Sequence, residues 1–170
     1  LILIISCITS YGLILLNDGI YWDDWLIYFY LKEKDWQTLI AAFVDSGLPL
    51  MGFLHWGMGA LPNFLFGYRI AAFLSLLGLS ILIYLIAKKT LCVGEGESLW
   101  IALWATAYPA FQAAHTIILL PYLLFYFSFF AGVYFALQIE EKISQTKKFF
   151  LHALSVILFL IAFNFNSLLV

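Results

Sequence analysis

The sequence predicts an all-α, polytopic integral membrane protein, with about five transmembrane helices and amphipathic helices in a long first extracytoplasmic loop. Apolar residues make up 65% of the 170 residues and charged residues only 11%, whereas a soluble domain carries about a quarter charged residues. Several apolar runs reach the roughly 18 residues that are needed to cross the hydrocarbon of a bilayer. The net charge of −2 comes with no basic stripe, so nucleic-acid binding is not expected.

The predicted spans belong to one transmembrane domain and cover residues 1–16, 68–87, 99–114, 117–138 and 149–170. The apolar run 99–138 is about two membrane thicknesses long at about 1.5 Å per residue, which predicts two spans with a turn at 112–116. The chain starts at Leu1 rather than at a methionine, and Val170 lies inside an apolar run. We therefore expect a fragment that is truncated at both ends.

The predicted outer loop, 17–67, begins with the turn signal Asn17–Asp18–Gly19. Tryptophan and tyrosine follow from residue 21 to residue 31, and one helical face carries Trp22, Trp25 and Phe29. Aromatic residues of this kind settle at the headgroup level, so the pattern predicts a short helix that lies in the interface.

A second interfacial helix is predicted after Lys32–Glu33–Lys34, with Asp35 as its N-cap. Its apolar residues fall at i, i+3, i+4 and i+7, namely Trp36, Leu39, Ile40 and Phe43. Gly47–Leu48–Pro49 is expected to end this helix. The glycine-rich segment 51–67 contains Pro62, which predicts irregular backbone that leaves room for one short helix at the interface.

The basic residues predict the orientation of the chain. Lysines are concentrated in the short connections after the second and fourth spans, at Lys88, Lys89, Lys142, Lys147 and Lys148. Short, lysine-bearing connections are usually cytoplasmic. The outer loop is then extracytoplasmic, as is the acidic segment within it.

Asp23 and Asp24 are the main candidates for catalysis, because they follow the first span directly and lie between Trp22 and Trp25. Adjacent helical residues point about 100° apart, so one carboxylate can face a cavity while the other is held by hydrogen bonds or binds a cation. Such a carboxylate is a candidate general base. With Asp18, the same oxygens suit Mg²⁺ or Mn²⁺. The alternative is a solvated, acidic start to an outer loop.

His55 and Arg69 are the candidate substrate-binding residues. His55 could orient a phosphate or act as an acid, and Arg69 at the start of the second span is suited to a bidentate contact with a lipid phosphate. A structural hydrogen bond for the histidine, and simple extension to the headgroups for the arginine, explain the same residues.

Four further polar residues lie in or beside the later spans. Gln112 and His115 are predicted at the outer turn between the third and fourth spans, either facing the first loop or serving as ordinary turn residues. Asn164 and Asn166 lie in the fifth span, where we expect hydrogen bonds to a neighbouring helix. A polar transport pathway is the alternative for these amides.

The acidic pair Trp22–Asp23–Asp24–Trp25, the amphipathic helix after it and the segment Asp45–Leu50 together resemble the start of the GT-C superfamily of polytopic membrane glycosyltransferases. The resemblance covers roughly residues 1–90. Leu48 stands where related bacterial chains often carry an arginine. The resemblance implies a polyprenyl-phosphate-linked sugar as donor, an extracytoplasmic acceptor and a bacterial cytoplasmic membrane as the location. It assigns the role of base or metal ligand to Asp23 first and to Asp24 second.

The resemblance also implies a single displacement at the anomeric carbon, in which Asp23 takes the proton of the acceptor hydroxyl. Arg69 or a bound cation would stabilise the leaving phosphate. The acceptor-binding part is expected outside this fragment, so the fragment alone is expected to be inactive. Two other functions remain open from the residues: a non-catalytic membrane subunit or scaffold, and a transporter.

Overall fold

The computed structural model describes residues 1–90, 93–108, 114–139 and 144–165. These ranges contain α-helices, one 3₁₀ segment and no strand, which confirms the all-α prediction. The helices, in chain order, are α1 (Ile2–Tyr11), followed by the 3₁₀ segment Gly12–Leu16, then α2 (Asp24–Glu33), α3 (Trp36–Asp45), α4 (Pro49–Gly59), α5 (Phe64–Thr90), α6 (Glu95–Thr106), α7 (Leu120–Leu137) and α8 (Gln145–Phe165).

Three helices in the described ranges are long and apolar enough to cross a membrane. They correspond to the second, fourth and fifth predicted spans and cover Phe64–Thr90, Leu120–Leu137 and Gln145–Asn164. The first predicted span is a shorter apolar helix, Ile2–Leu16. Where the third span was predicted, α6 has 12 residues, and positions 109–113 of that prediction lie outside the described residues.

The long helix α5 is the centre of the bundle. It packs against α1, α6 and α7, and α7 in turn packs against α8. The side chains that form the core come from the first helix, helices α2 and α3, α5, the segment 114–119 before α7 (which we call the approach to α7) and the start of α7. They include Cys7, Leu39, Tyr68, Leu76, Ile117 and Leu120. Helices α2 and α3 therefore belong to the same core as the long helices.

The bundle has two chemically different ends. Lys88 at the end of α5 pairs with Glu95 at the start of α6, and Lys89 donates a hydrogen bond to the Gln138 side chain after α7, with an Nζ–Oε1 distance of 3.3 Å. We call this the lysine end. Asp23, Asp24 and helices α2 to α4 lie at the opposite end, which we call the carboxylate end.

In the hairpin of α3 and α4, the one short helix that the segment 51–67 was predicted to allow is present as α4, and it replaces irregular backbone up to Gly59. Pro49 occupies the first turn of α4, which is a regular helix as far as Gly59. Gly47 at φ +75° closes α3, with hydrogen bonds from Gly47 N–H to Val44 O and from Leu48 N–H to Phe43 O, the Schellman arrangement. Gly52 and Gly59 of α4 lie in close packing contacts, whereas a Cβ at Gly57 would meet no atom within 4 Å.

Gly52 shows why α4 needs glycine. A Cβ at this position would lie 3.2 Å from Phe43 Cβ and 3.3 Å from the Ile40 Cα. Because Gly52 has no side chain, α4 can approach the backbone of α3 at the apolar face predicted from the sequence. That face is turned inward, with Leu39 buried and Trp36 half-buried, and the predicted cap is confirmed, since Asp35 accepts a hydrogen bond from Thr38 N–H at 3.2 Å.

The start of α2 differs from the prediction of one helical face with Trp22, Trp25 and Phe29. The helix begins at Asp24, and Trp22 precedes it with a φ of 46°. All three aromatic side chains point outward, and Trp22 is 77% exposed. Trp22 thus adopts a left-handed conformation directly before Asp23, which is the N-cap of α2.

We predict that Gly78→Ala lowers the free energy of unfolding by about 1–3 kcal/mol, because overpacking a core contact has a cost of this size. A Cβ at Gly78 on α5 would lie 2.5 Å from Phe127 Cε2 on α7. Equilibrium unfolding in mixed detergent micelles measures the change.

Gly96→Ala is the matched control, because a Cβ at Gly96 meets no atom within 4 Å. The greater helix propensity of alanine should make this variant more stable by about 0.5–1 kcal/mol. Equal effects of the two substitutions would contradict the close approach of α5 and α7.

Candidate functional site

Asp24 is buried although its side chain carries a carboxyl group. Its side chain is 0% exposed, and its Oδ1 accepts a hydrogen bond from Ile118 N–H at 2.9 Å. Oδ2 has no hydrogen-bond partner among the described residues. Ile118 lies just before α7, so the Oδ1 contact joins two segments that are 94 residues apart in the sequence.

Asp23 faces the other way and is exposed. The different environments follow from the step of about 100° between neighbouring residues where a helix begins. Asp23 lies at the rim of a groove of about 300 Å³ at the carboxylate end. The groove is lined by α2, α3 and one residue of the approach to α7, namely Leu26, Ile27, Tyr30, Leu39, Ala42, Phe43, Ser46 and Ile118. Its only charged lining residue among the described residues is Asp23, which stands beside mostly apolar walls.

Arg69, the only arginine of the sequence, is turned into the protein and is 2% exposed. Its Nε donates to Asn17 O at 2.9 Å and its terminal nitrogen donates to Gly19 O at 2.5 Å. The guanidinium also interacts electrostatically with Asp24, without forming an ion pair within 4 Å. Arg69 therefore holds the turn before α2 and offsets the charge of Asp24.

His55 is also completely buried. Its Nδ1 shares a hydrogen bond of 2.6 Å with the Tyr68 hydroxyl, and its ring stacks on Phe43 with centroids 5.0 Å apart. Nε2 has no partner in the part of the chain that the structure describes. Burial lowers the pKa of His55 from 6.5 to about 4, so the ring is neutral at physiological pH.

Asp24, His55, Tyr68 and Arg69 form one group, which we call the buried polar cluster. Tyr68 hydrogen-bonds to His55 and interacts electrostatically with Asp24. Neither His55 nor Arg69 presents a surface to a ligand from outside, so their predicted roles in substrate binding stay predictions, whereas their structural contacts are directly visible. Sequence reasoning missed Tyr68, for which its position next to Arg69 was the available signal.

The three acidic residues predicted as metal ligands are not brought together. Asp18 is exposed, and so is Asp23, whereas Asp24 is buried. Within the ranges that the structure describes, no group of three or more histidine, cysteine, aspartate or glutamate residues is arranged to hold a metal ion. These side chains therefore do not fit the predicted Mg²⁺ or Mn²⁺ site, because the helix start separates Asp24 from the other two.

His115 meets the first loop. Its ring lies edge-on to Tyr21, with the ring centroids 4.6 Å apart. Of the two predicted placements of His115, this contact matches the one in which it faces the first loop. Gln112 lies outside the described residues. The Tyr21–His115 contact adds a further link between the acidic segment and the approach to α7.

In the part of the chain that the structure describes, Asn164 bonds within its own helix, which differs from the predicted bond to a neighbouring helix. Its Nδ2 donates to Leu160 O at 2.8 Å, an i to i−4 bond of the local kind that polar side chains make in helices. Asn166 lies outside the described residues.

No protein-family model, curated protein or solved structure matches the chain. The geometry of the carboxylate end is therefore the basis for a functional proposal.

We predict that the free energy of unfolding falls as the pH drops from about 6.5 towards 4, in part because of His55. The unfolded chain takes up the imidazole proton in this range and the folded chain does not, so the unfolded state gains stability on acidification. With a pKa of 6.5 in the unfolded chain and about 4 in the folded chain, the loss is up to about 3 kcal/mol. His55→Gln should remove this part of the pH dependence in equilibrium unfolding.

His152→Gln is the control, because His152 is exposed on α8. This variant should keep the wild-type pH dependence. If the His55 variant and the wild type lost stability in parallel on acidification, the buried, neutral state of His55 would be contradicted.

Proposed function

We propose that the chain contributes the membrane-embedded catalytic part of a glycosyltransferase, which moves a sugar from a polyprenyl-phosphate donor to an extracytoplasmic acceptor. The observation that carries the proposal is the exposed Asp23 carboxylate at the rim of an apolar groove. A lipid-linked sugar needs an apolar surface for its lipid and a carboxylate beside its sugar. The groove at the carboxylate end offers both within one site.

In the proposed reaction Asp23 is the general base. The acceptor hydroxyl gives its proton to the Asp23 carboxylate while its oxygen forms a bond to the anomeric carbon. The bond between that carbon and the phosphate oxygen breaks, and its electron pair leaves with the polyprenyl phosphate. Arg69 is not assigned to the leaving phosphate, because its hydrogen bonds go to the carbonyls of Asn17 and Gly19.

We further propose five membrane crossings, with α1 plus its 3₁₀ segment and α6 as the shorter ones. Support comes from the contacts at the lysine end, where the C-termini of α5 and α7 meet the N-terminus of α6. Successive crossings then alternate in direction. The basic residues of the lysine end favour the cytoplasmic side, which leaves the groove on the outer face of a bacterial cytoplasmic membrane.

A non-catalytic membrane subunit is the second candidate function. The observation in its favour is that Asp24, His55 and Arg69 all make internal contacts that support the fold. On this alternative Asp23 is a solvated surface residue, and the groove holds lipid or a partner helix. The two candidates differ in what the loss of the Asp23 charge does.

We predict that Asp23→Asn in the full-length gene product lowers sugar transfer by about 100-fold or more, because the amide cannot accept the proton. The assay follows release of polyprenyl phosphate in proteoliposomes that contain a panel of radiolabelled polyprenyl-phosphate hexoses and pentoses together with cell-envelope acceptors. Equilibrium unfolding should be the same as for the wild type, since Asp23 is exposed.

Asp45→Asn is the matched control, an exposed aspartate on α3 outside the groove lining. It should keep wild-type transfer. Wild-type transfer by the Asp23 variant would overturn the catalytic role and leave the subunit as the function.

A labelling experiment tests the orientation. In a background with Cys7→Ala and Cys92→Ala, a membrane-impermeant maleimide added to intact cells should modify Asp45→Cys and spare Lys147→Cys, because they lie at opposite ends of the bundle. Labelling after membrane disruption, in which both should react, is the control. The reverse pattern in intact cells would place the groove in the cytoplasm and contradict the proposal.

A further inference from the structure

We propose that Asp24 is a positioning residue. Its hydrogen bond connects α2 to the approach to α7 and so holds the neighbouring Asp23 in place beside the groove. This inference rests on the proposed function, because it assigns Asp24 a role in the reaction carried out by Asp23. Asp24 itself touches no ligand surface, since it is 0% exposed.

The hydrogen bond of Asp24 joins two walls of the groove. Asp23 and its α2 neighbours form one wall, and Ile118 contributes from the other side. The backbone N–H of the same Ile118 donates to Asp24 Oδ1. The Asp24 carboxylate therefore connects the Asp23 wall directly to Ile118.

The segment before α2 is held from the other direction. Arg69 donates to Asn17 O and Gly19 O, and Tyr21 packs on His115. Asp23 thus lies between the turn that Arg69 of α5 holds and Asp24, which is hydrogen-bonded to Ile118. Because the Asp23 side chain is exposed, its orientation beside the groove depends on these contacts of the neighbouring backbone.

The unpartnered Oδ2 makes the role testable. Across the described residues, no donor lies within hydrogen-bond distance of Oδ2, so replacing this oxygen by the amide nitrogen of Asp24→Asn displaces no hydrogen bond. The carbonyl oxygen of the Asp24→Asn side chain can still accept from Ile118 N–H, whereas Asp24→Ala removes the acceptor. A positioning residue should tolerate the first change far better than the second, and a proton-accepting residue should tolerate neither.

The test uses the full-length protein in lipid nanodiscs and compares Asp24→Asn, Asp24→Ala, Asp23→Asn and the control Asp45→Ala. We expect Asp24→Ala to lower kcat by about 100-fold, the size of loss that a misplacement of about 1 Å produces, while Asp24→Asn stays within about tenfold of the wild type. Hydrogen exchange of the peptide that covers 114–119 should be about tenfold faster in Asp24→Ala. It should stay protected in Asp24→Asn and in Asp45→Ala.

Two results would overturn the inference. Asp24 would be a participant in proton transfer if Asp24→Asn lost transfer activity as completely as Asp23→Asn while hydrogen exchange of residues 114–119 stayed slow. Unchanged exchange in Asp24→Ala would show that the bond to Ile118 does not hold the two walls. If Asp24→Ala does not fold, the comparison of Asp24→Asn with Asp23→Asn still decides between the two roles.

The failure of the proposed function would look different. A wild-type protein without transfer activity would remove the reaction and the role of Asp24 in it. The exchange measurement on residues 114–119 would still report whether Asp24 holds the approach to α7.

Discussion

The buried carboxylate of Asp24 is the constraint on which the carboxylate end depends. Removing a charged group from water costs several kcal/mol unless hydrogen bonds and an opposite charge offset the loss. Here the hydrogen bond comes from Ile118 N–H and the opposite charge from Arg69. Because these groups belong to α2, the approach to α7 and α5, stabilising one carboxylate requires three distant parts of the chain to meet at one place.

The same principle extends through the rest of the buried polar cluster. The single arginine uses its nitrogens on two backbone carbonyls of the turn before α2, and a buried, neutral imidazole shares a short hydrogen bond with Tyr68. Each contact satisfies a polar group that would otherwise be costly in an apolar interior. These contacts lie next to the exposed Asp23 and give it the packed, hydrogen-bonded support that the proposed catalytic role requires.

Several features of this arrangement were predictable because they depend on neighbours in the sequence. Asp35 caps α3, as its position before Trp36 predicts, and the apolar face of α3 with Leu39 is turned inward. The glycine-rich segment after residue 51 shows the limit of such reasoning. Its glycines read as flexibility, whereas in the structure Gly52 allows α4 to approach the backbone of α3.

The sequence identified which residues belong to the candidate site, but not the contacts that each of them makes. Asp24, His55 and Arg69 were all selected as polar residues in an apolar chain, and the structure brings these three together. The sequence predicted substrate contacts for His55 and Arg69; both side chains are enclosed, and the predicted contacts stay predictions. The sequence predicted that one of the two carboxylates, Asp23 or Asp24, faces a cavity while the other is held by hydrogen bonds or binds a cation, and in the structure Asp23 is exposed and Asp24 is buried.

By itself, the sequence determined the all-α class, the placement of the long apolar helices, the α3 cap and the concentration of lysines in short connections. These follow from composition, periodicity and charge over fewer than about 20 neighbouring residues. Only the tertiary structure decided that Asp24 is buried and Asp23 exposed, and that Arg69 faces inward. The reason is physical: those outcomes depend on an N–H group 94 residues away and on carbonyls 50 and 52 residues away, and no local pattern specifies such partners.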